Sequence, residues 1–543
     1  MKTRTGALPR QAMRVSAVAL AVAAVGSAGA MELVNDEQKT IRWDNSLKYT
    51  LGARTTDPSA SFLGNLNTND GDGAFAKKGR LITNRIDLLS EFDLTLKDAH
   101  SSGLRLSAAA WYDNVYRRSH DAIDPLTYNP TSVPNTEFNA YARKWAGANA
   151  ELYDAFVHSG ADLGGHKLNW RLGRHTVMWG ESLFLATNGI AAGQAPADVT
   201  KVLTVPGIQT KDFLMPVNQL SGALALNDNW SLQSYYQLEF RPTRIAAPGT
   251  FFSPADVVFD GAERILFAPG MGFPRTASQN PPERSGQWGV ATLYRNPKIG
   301  WDFGAYYLRY TDKTPQIYTQ LAGIPVPPFF VPGSYQFVYP EKIDVLGLST
   351  STSVGSANVA GEVSVRNNMP LVSNAMALSV LPGMAADGRN NPLHAVGRTL
   401  HFQASTIWVA PRTPLWETAE VVAEVGGNHL LKVTRNEAAR DTNTARSAFG
   451  AAVQFTPTWY QVLPDLDLSL PINLAYNFNS KPSAIDPGFN GGAAKGGRAS
   501  VGVKFTYANG IKGGVYYTRY LGSDSRNSSG DRDFVTMNLN YSF

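Results

Sequence analysis

The chain has 543 residues, with 49 Lys and Arg against 44 Asp and Glu, no cysteine, 17% charged and 11% aromatic residues. The missing cysteine excludes disulfides, thiol catalysis and Cys-ligated metals. The aromatic content excludes a disordered chain, and the hydropathy excludes helical membrane spans of about 20 apolar residues.

Lys2, Arg4, Arg10 and Arg14 precede an apolar run from Val15 to Val25, and Ala28-Gly29-Ala30 supplies a small-x-small cleavage pattern. This predicts a secretory signal over 1–30 and a single mature domain over 31–543. Cleavage removes four basic residues, so the formal charge of +5 belongs almost wholly to the signal. Nucleic-acid binding thereby loses its compositional support.

From residue 46 onward the sequence alternates apolar and polar residues, the mark of strands with one oily and one wet face. Strands are predicted near 46–54, 84–96, 103–113, 149–159, 166–176, 218–226, 229–240, 286–295 and 299–310. They continue near 343–352, 355–366, 398–409, 415–426, 446–456, 465–478, 499–508, 511–521 and 533–543. Short turns such as Asn227-Asp228, Asn296-Pro297-Lys298, Ser353-Val354 and Asn509-Gly510 alternate with long loops. That order fits an all-β transmembrane antiparallel up-and-down barrel of about 18 strands, with 16 as the alternative, in the outer membrane among lipid and lipopolysaccharide. The terminal Phe543 is similar to the signal read by barrel assembly machinery.

Opposite parity to the apolar face marks the lumen. Its charges include Arg85, Asp87, Glu91, Glu362, Arg366, Glu420, Glu424 and Arg519. Their signs are mixed, so pairing among themselves is expected rather than a ring of one sign. The segment Gly173-Arg174-His175-Thr176-Val177-Met178-Trp179-Gly180-Glu181-Ser182 leaves a strand and enters a long stretch rich in Ala and Gly. It reads as a constriction folded into the lumen, with Trp179 as a wedge and Arg174 paired to Glu181. The loops carrying Phe251-Phe252 and Phe329-Phe330 are unusually apolar and read as a cap over the mouth or a pocket for an apolar ligand.

Enzyme chemistry is not expected. Gly180-Glu181-Ser182-Leu183-Phe184 lacks the last glycine of a nucleophile elbow, and the histidines form no zinc motif. Asn65 to Asp72 has the oxygen density of a calcium loop without its glycine or final Glu, and reads as an Asx-rich turn. Neither cofactor nor metal is predicted.

The strings Gly173-Arg174…Trp179-Gly180-Glu181-Ser182, Asn84-Arg85-Ile86-Asp87-Leu88-Leu89-Ser90-Glu91, Pro248-Gly249-Thr250-Phe251-Phe252-Ser253 and Gly361-Glu362-Val363-Ser364-Val365-Arg366 resemble a proteobacterial family of large outer-membrane proteins classed as a domain of unknown function. The resemblance implies genes near resistance-nodulation-division exporters and a periplasmic lipoprotein-like family. It therefore implies a trans-envelope route for hydrophobic molecules, with an inner-membrane pump and a periplasmic carrier as partners. The expected function is an outer-membrane channel or transporter for hydrophobic or amphipathic molecules, gated by inward-folded loops. The alternatives are a diffusion porin for hydrophilic solutes and a docking component of an envelope complex.

Overall fold

The computed structural model describes residues 31–204, 209–279, 281–323, 333–508 and 510–543. The predicted signal over 1–30 lies outside these residues, as do Phe329, Phe330 and Asn509. Eighteen barrel strands follow the chain: β1 (Lys39–Arg54), β2 (Leu81–Leu96), β3 (Gly103–Asp113), β4 (Ala148–Leu163), β5 (His166–His175) and β6 (Val217–Asn227). Then come β7 (Trp230–Gln237), β8 (Trp288–Asn296), β9 (Trp301–Tyr310), β10 (Ile343–Val354), β11 (Ala357–Pro370) and β12 (Val396–Ala410). The last are β13 (Thr418–Arg435), β14 (Ser447–Leu463), β15 (Leu466–Ser469 with Ile472–Asn477), β16 (Gly496–Tyr507), β17 (Ile511–Leu521) and β18 (Phe534–Ser542).

Each strand pairs antiparallel with the next, and β18 returns to β1 in the register Ser46↔Ser542 to Arg54↔Phe534. Closure leaves no sheet edge unpaired, which a bilayer requires. Asn45 and Phe543 exchange both backbone hydrogen bonds, so the seam runs to the last residue. The short strand Met31–Asn35 adds to the start of β1. Two details differ from the sequence reading. Pro471 lacks the N–H a ladder needs and splits β15 in two. The turn expected at Ser353-Val354 lies two residues on, at Gly355-Ser356, where Gly355 takes a φ of +59° that favours glycine at the first corner.

The period-two pattern works out in space as two chemistries. Leu88, Leu172, Leu232, Val290, Leu346, Val363, Phe402, Val453, Leu474, Val501 and Met537 all point outward and are exposed, forming the apolar belt of a barrel seated in lipid. Inward, opposite charges face each other across strands, as in Lys48↔Asp87 and Arg42↔Asp93. Arg519 is a correction. It lies opposite Ala499, on the same face as Tyr517 and Val515, and so points outward rather than into the lumen.

The long loops gather at one end and build a cap. Phe75, Tyr116, Phe138, Phe251, Phe252 and Phe534 form its buried core. Two small sheets lie in these loops: the hairpin Arg264–Ala268 with Met271–Pro274, and Gln316–Leu321 with Gly333–Val338 and Ser379–Val380. Under the aromatic core sits a buried ion network. Asp72 takes Arg54 at 2.9 Å and Arg532 at 2.8 Å, and Arg54 reaches Asp531 at 3.0 Å. Both guanidiniums also donate to carbonyls, Arg54 to Phe75 and Arg532 to Phe251. Removing the shared acid strands buried Arg532 without an ion-pair partner among the described residues and leaves Arg54 with Asp531 alone. Asp72→Ala is therefore expected to cost about 3–5 kcal/mol, read as a lower urea midpoint for unfolding from lipid vesicles.

Candidate functional site

The chain leaves β5 at His175 and regains the wall at Val217; between them it crosses the lumen. Such a crossing takes backbone amides out of bulk water, and they must find partners. The wall supplies them. Glu362 on β11 accepts from Glu181 N at 2.7 Å and Ile190 N at 2.8 Å. Glu424 on β13 accepts from the N–H groups of Leu183, Phe184 and Leu185. Arg366, two turns of the pleat beyond Glu362, donates to the carbonyls of Thr187, Asn188 and Gly189. Asn188 fits between the strands: its side chain meets His401 at 3.0 Å and Gln403 at 3.3 Å on β12. Two carboxylates and one guanidinium thus hold a single loop by its backbone.

Glycine makes the approach possible. Gly180 has φ of +87°, and a Cβ there would stand 2.2 Å from a Glu362 oxygen. One residue earlier, Trp179 packs as a wedge. Its indole N–H donates to Gln233 on β7 at 2.8 Å, and its ring lies 5.1 Å from Tyr235 and 5.9 Å from Tyr306. Gly289 on β8 leaves room for it; a Cβ would come within 2.8 Å of the indole. The far half of the loop reaches β16, three strands from β13, and β4 across the barrel. Arg498 on β16 donates to the carbonyls of Val202 and Leu203, and Lys201 lies 4.9 Å over the ring of Tyr153 on β4. Between these ends, Asp198 pairs with Arg244, which also grips Glu151 on β4. Lys313 is buried above and donates to Gly193 O at 3.3 Å and to Gln287 at 2.9 Å. Burial pushes its ammonium down to about 7.

The remaining predicted residues are spread over the wall, the loop and the cap. On β2 and β3, Arg85 pairs with Asp87 at 2.6 Å and lies over Trp111, while Arg105 bridges Glu91, Asp93 and Asp154. These are the wall pairs the mixed signs suggest. Glu420 is exposed on β13, opposite Thr456. The Arg174 to Glu181 pair is not formed. Arg174 instead meets Glu239 at 3.2 Å, and the Glu181 carboxyl, pushed up by burial, accepts from Ser351 at 3.4 Å. Phe251 and Phe252 are in the cap core and face no passage. Ser182 Oγ has no hydrogen-bond partner among the described residues, so no base stands beside it. In the Asn65 to Asp72 segment, Asn65 accepts from Asn67 N in an Asx turn, Asp72 is held by arginines, and Asp70 accepts from Asn129 N. Sequence reasoning missed Asn188, Gln233, His401, Gln403 and Arg498. The uncharged polar run Thr399, His401, Gln403 at lumen parity was the available signal.

The chain belongs to the family described as protein of unknown function (DUF1302), whose model matches residues 11–543. Comparison with curated proteins finds no match. Among solved structures it is similar to the outer membrane channel DcaP of Acinetobacter baumannii, at 10% identity and a TM-score of 0.37, over 94% of this chain and 99% of that one. It is also similar to OccAB3 of Acinetobacter baumannii, at 10% identity and 0.43, over 93% and 99%, and to OpdK of Pseudomonas aeruginosa with vanillate, at 10% and 0.41, over 93% and 98%.

Two outcomes follow from this geometry. Hydrogen bonds from buried amides to carboxylates contribute about 1.5–3 kcal/mol each. Glu424→Ala is thus expected to lower exchange protection of the Leu183, Phe184 and Leu185 amides at least about tenfold, whereas Glu420→Ala leaves it unchanged; hydrogen exchange with mass spectrometry reads both. In the cap, Asp256 Oδ2 accepts from Asp70 N at 3.1 Å, and burial raises both carboxyls, Asp256 from 3.8 to about 6. The folded cap therefore binds more protons than the open loops between those values. Protection of the Asn69 to Ala74 amides should rise as pH falls through about 6, and Asp256→Asn should flatten that dependence.

Proposed function

We propose that the protein is an outer-membrane channel for hydrophobic or amphipathic small molecules, gated by the loop between β5 and β6. The observation that carries this reading is the crossing itself: one loop, tied to Glu362, Arg366 and Glu424 on β11 and β13 and, through Asp198 and Arg244, to Glu151 on β4 across the barrel, stands across the lumen. A passage so obstructed suits regulated entry of selected molecules better than free diffusion of ions. The mouth adds apolar surface that water disfavours. Leu126, Phe267, Met271 and Met376 are exposed on the cap loops, Met376 to 80%. An apolar solute meeting them would be held at the entrance before the loop yields. The resemblance-based expectation of an inner-membrane pump and periplasmic carrier fits the same route and forms part of the proposal.

A second reading has its own observation. The pairs of Arg85 with Asp87 and of Arg105 with Glu91 remain about one-third exposed to the lumen, a wet strip that a hydrophilic solute could follow. Planar-bilayer conductance separates the two. Gated entry predicts small, intermittent currents from the purified protein, raised several-fold in the Glu362→Ala, Glu424→Ala double variant. A large, steady, weakly selective current from the unmodified protein would sink gating and favour the general porin. Apolar molecules retained through purification, identified by mass spectrometry, would support the substrate class.

A further inference from the structure

The outward face is not uniform around the barrel. On β9 to β13, just above the apolar belt, it carries a row of polar side chains at one height. Arg309 makes two bonds to Asp344, at 2.7 and 2.9 Å, and Tyr307 adds a third at 2.8 Å. Asp344 lies opposite Asn367, which accepts from Arg398 Nε at 2.7 Å, and Arg398 lies opposite Lys432. Five adjacent strands thus contribute to one connected strip. The Arg309 charge is cancelled by Asp344. The two Nη groups of Arg398 and the Lys432 ammonium have no protein partner among the described residues, and both side chains are exposed.

Depth says what they meet. Trp288 packs 5.5 Å from Tyr307 at the same level, and aromatic rings of this kind sit where acyl chains give way to headgroups. Below the strip, Leu346, Val363 and Phe402 are exposed outward and face acyl chains. Two unneutralised cations held side by side at headgroup depth match a phosphate, which an Arg fork and a Lys ammonium bind together. We propose that this strip docks the phosphorylated head group of an outer-leaflet lipopolysaccharide, with phosphate on Arg398 and Lys432 and acyl chains on Leu346, Val363 and Phe402. The assignment rests on residence in the outer membrane and is independent of what passes through the lumen.

The test uses delipidated barrel in detergent, titrated with bisphosphorylated lipid A and followed by native mass spectrometry. A saturable complex is expected, weakened at least tenfold in the Arg398→Glu, Lys432→Glu double variant and at high salt. Dephosphorylated lipid A should bind at least tenfold more weakly. Arg519→Glu, an outward arginine on β17, should leave binding unchanged. If the double variant does not refold to the heat-modifiable form, Arg398→Gln with Lys432→Gln replaces it. Undiminished binding in the double variant, equal binding of the dephosphorylated lipid, or equal loss on Arg519→Glu would overturn the site. None of these readings involves conductance, so failure here leaves the channel reading untouched.

Discussion

Backbone amides taken across a wet lumen lose bulk water on at least one side, and a loop there stays put only if the wall answers them. Here the answer comes from Glu362 and Glu424, which between them accept five N–H groups of one loop. The carboxylates are used up in holding the loop. They are therefore not free to line a path for cations, although their sign and position would suggest it. The same holds for Arg366, whose donors end on three carbonyls. Much of the charge on the wall of this barrel is architecture, although Glu420, on the same strand as Glu424, stays exposed.

Trp179 extends the clamp in the apolar direction. Its ring meets Tyr235 and Tyr306, and with Ile190, Leu308 and Val345 it forms a dry cluster against the inner wall. An inward face of β8 to β10 that ought to be wet is instead covered by the loop, so residues such as Leu308 and Val345 sit at lumen parity without facing water. Loop and wall are complementary over this sector: polar where the backbone needs partners, apolar where side chains meet.

The barrel was legible because lipid on one side and water on the other impose the same beat on every strand, and 18 strands repeat it. What failed was local. Alternation does not see that Pro471 lacks a donor, and a turn two residues further on changes neither face pattern. Arg519 is charged, and charge suggests the lumen; its parity with Tyr517 and Val515 places it outside, near the membrane rim, where a charge can reach water. The constriction was readable as a segment, from the glycines and Trp179 in an Ala-rich run, but its partners were not. Arg174 sits near Glu181 in sequence and pairs with Glu239, because the choice between two acids is made by loop geometry that a single chain does not spell out. Likewise Phe251 and Phe252 announced an apolar loop, and only packing against Phe75 and Phe534 shows them as cap core.

The buried network at Asp72 has a consequence for the order of assembly. Arg54 ends the first barrel strand and Arg532 precedes the last, so the two cations that share Asp72 come together only when the sheet has closed on itself. Before closure Asp72 has one partner at most, and the aromatic core above it lacks Phe534. The cap thus acts as a latch that engages last: an open or misregistered barrel leaves it unseated, and a lid over the mouth exists only for a molecule whose wall is complete.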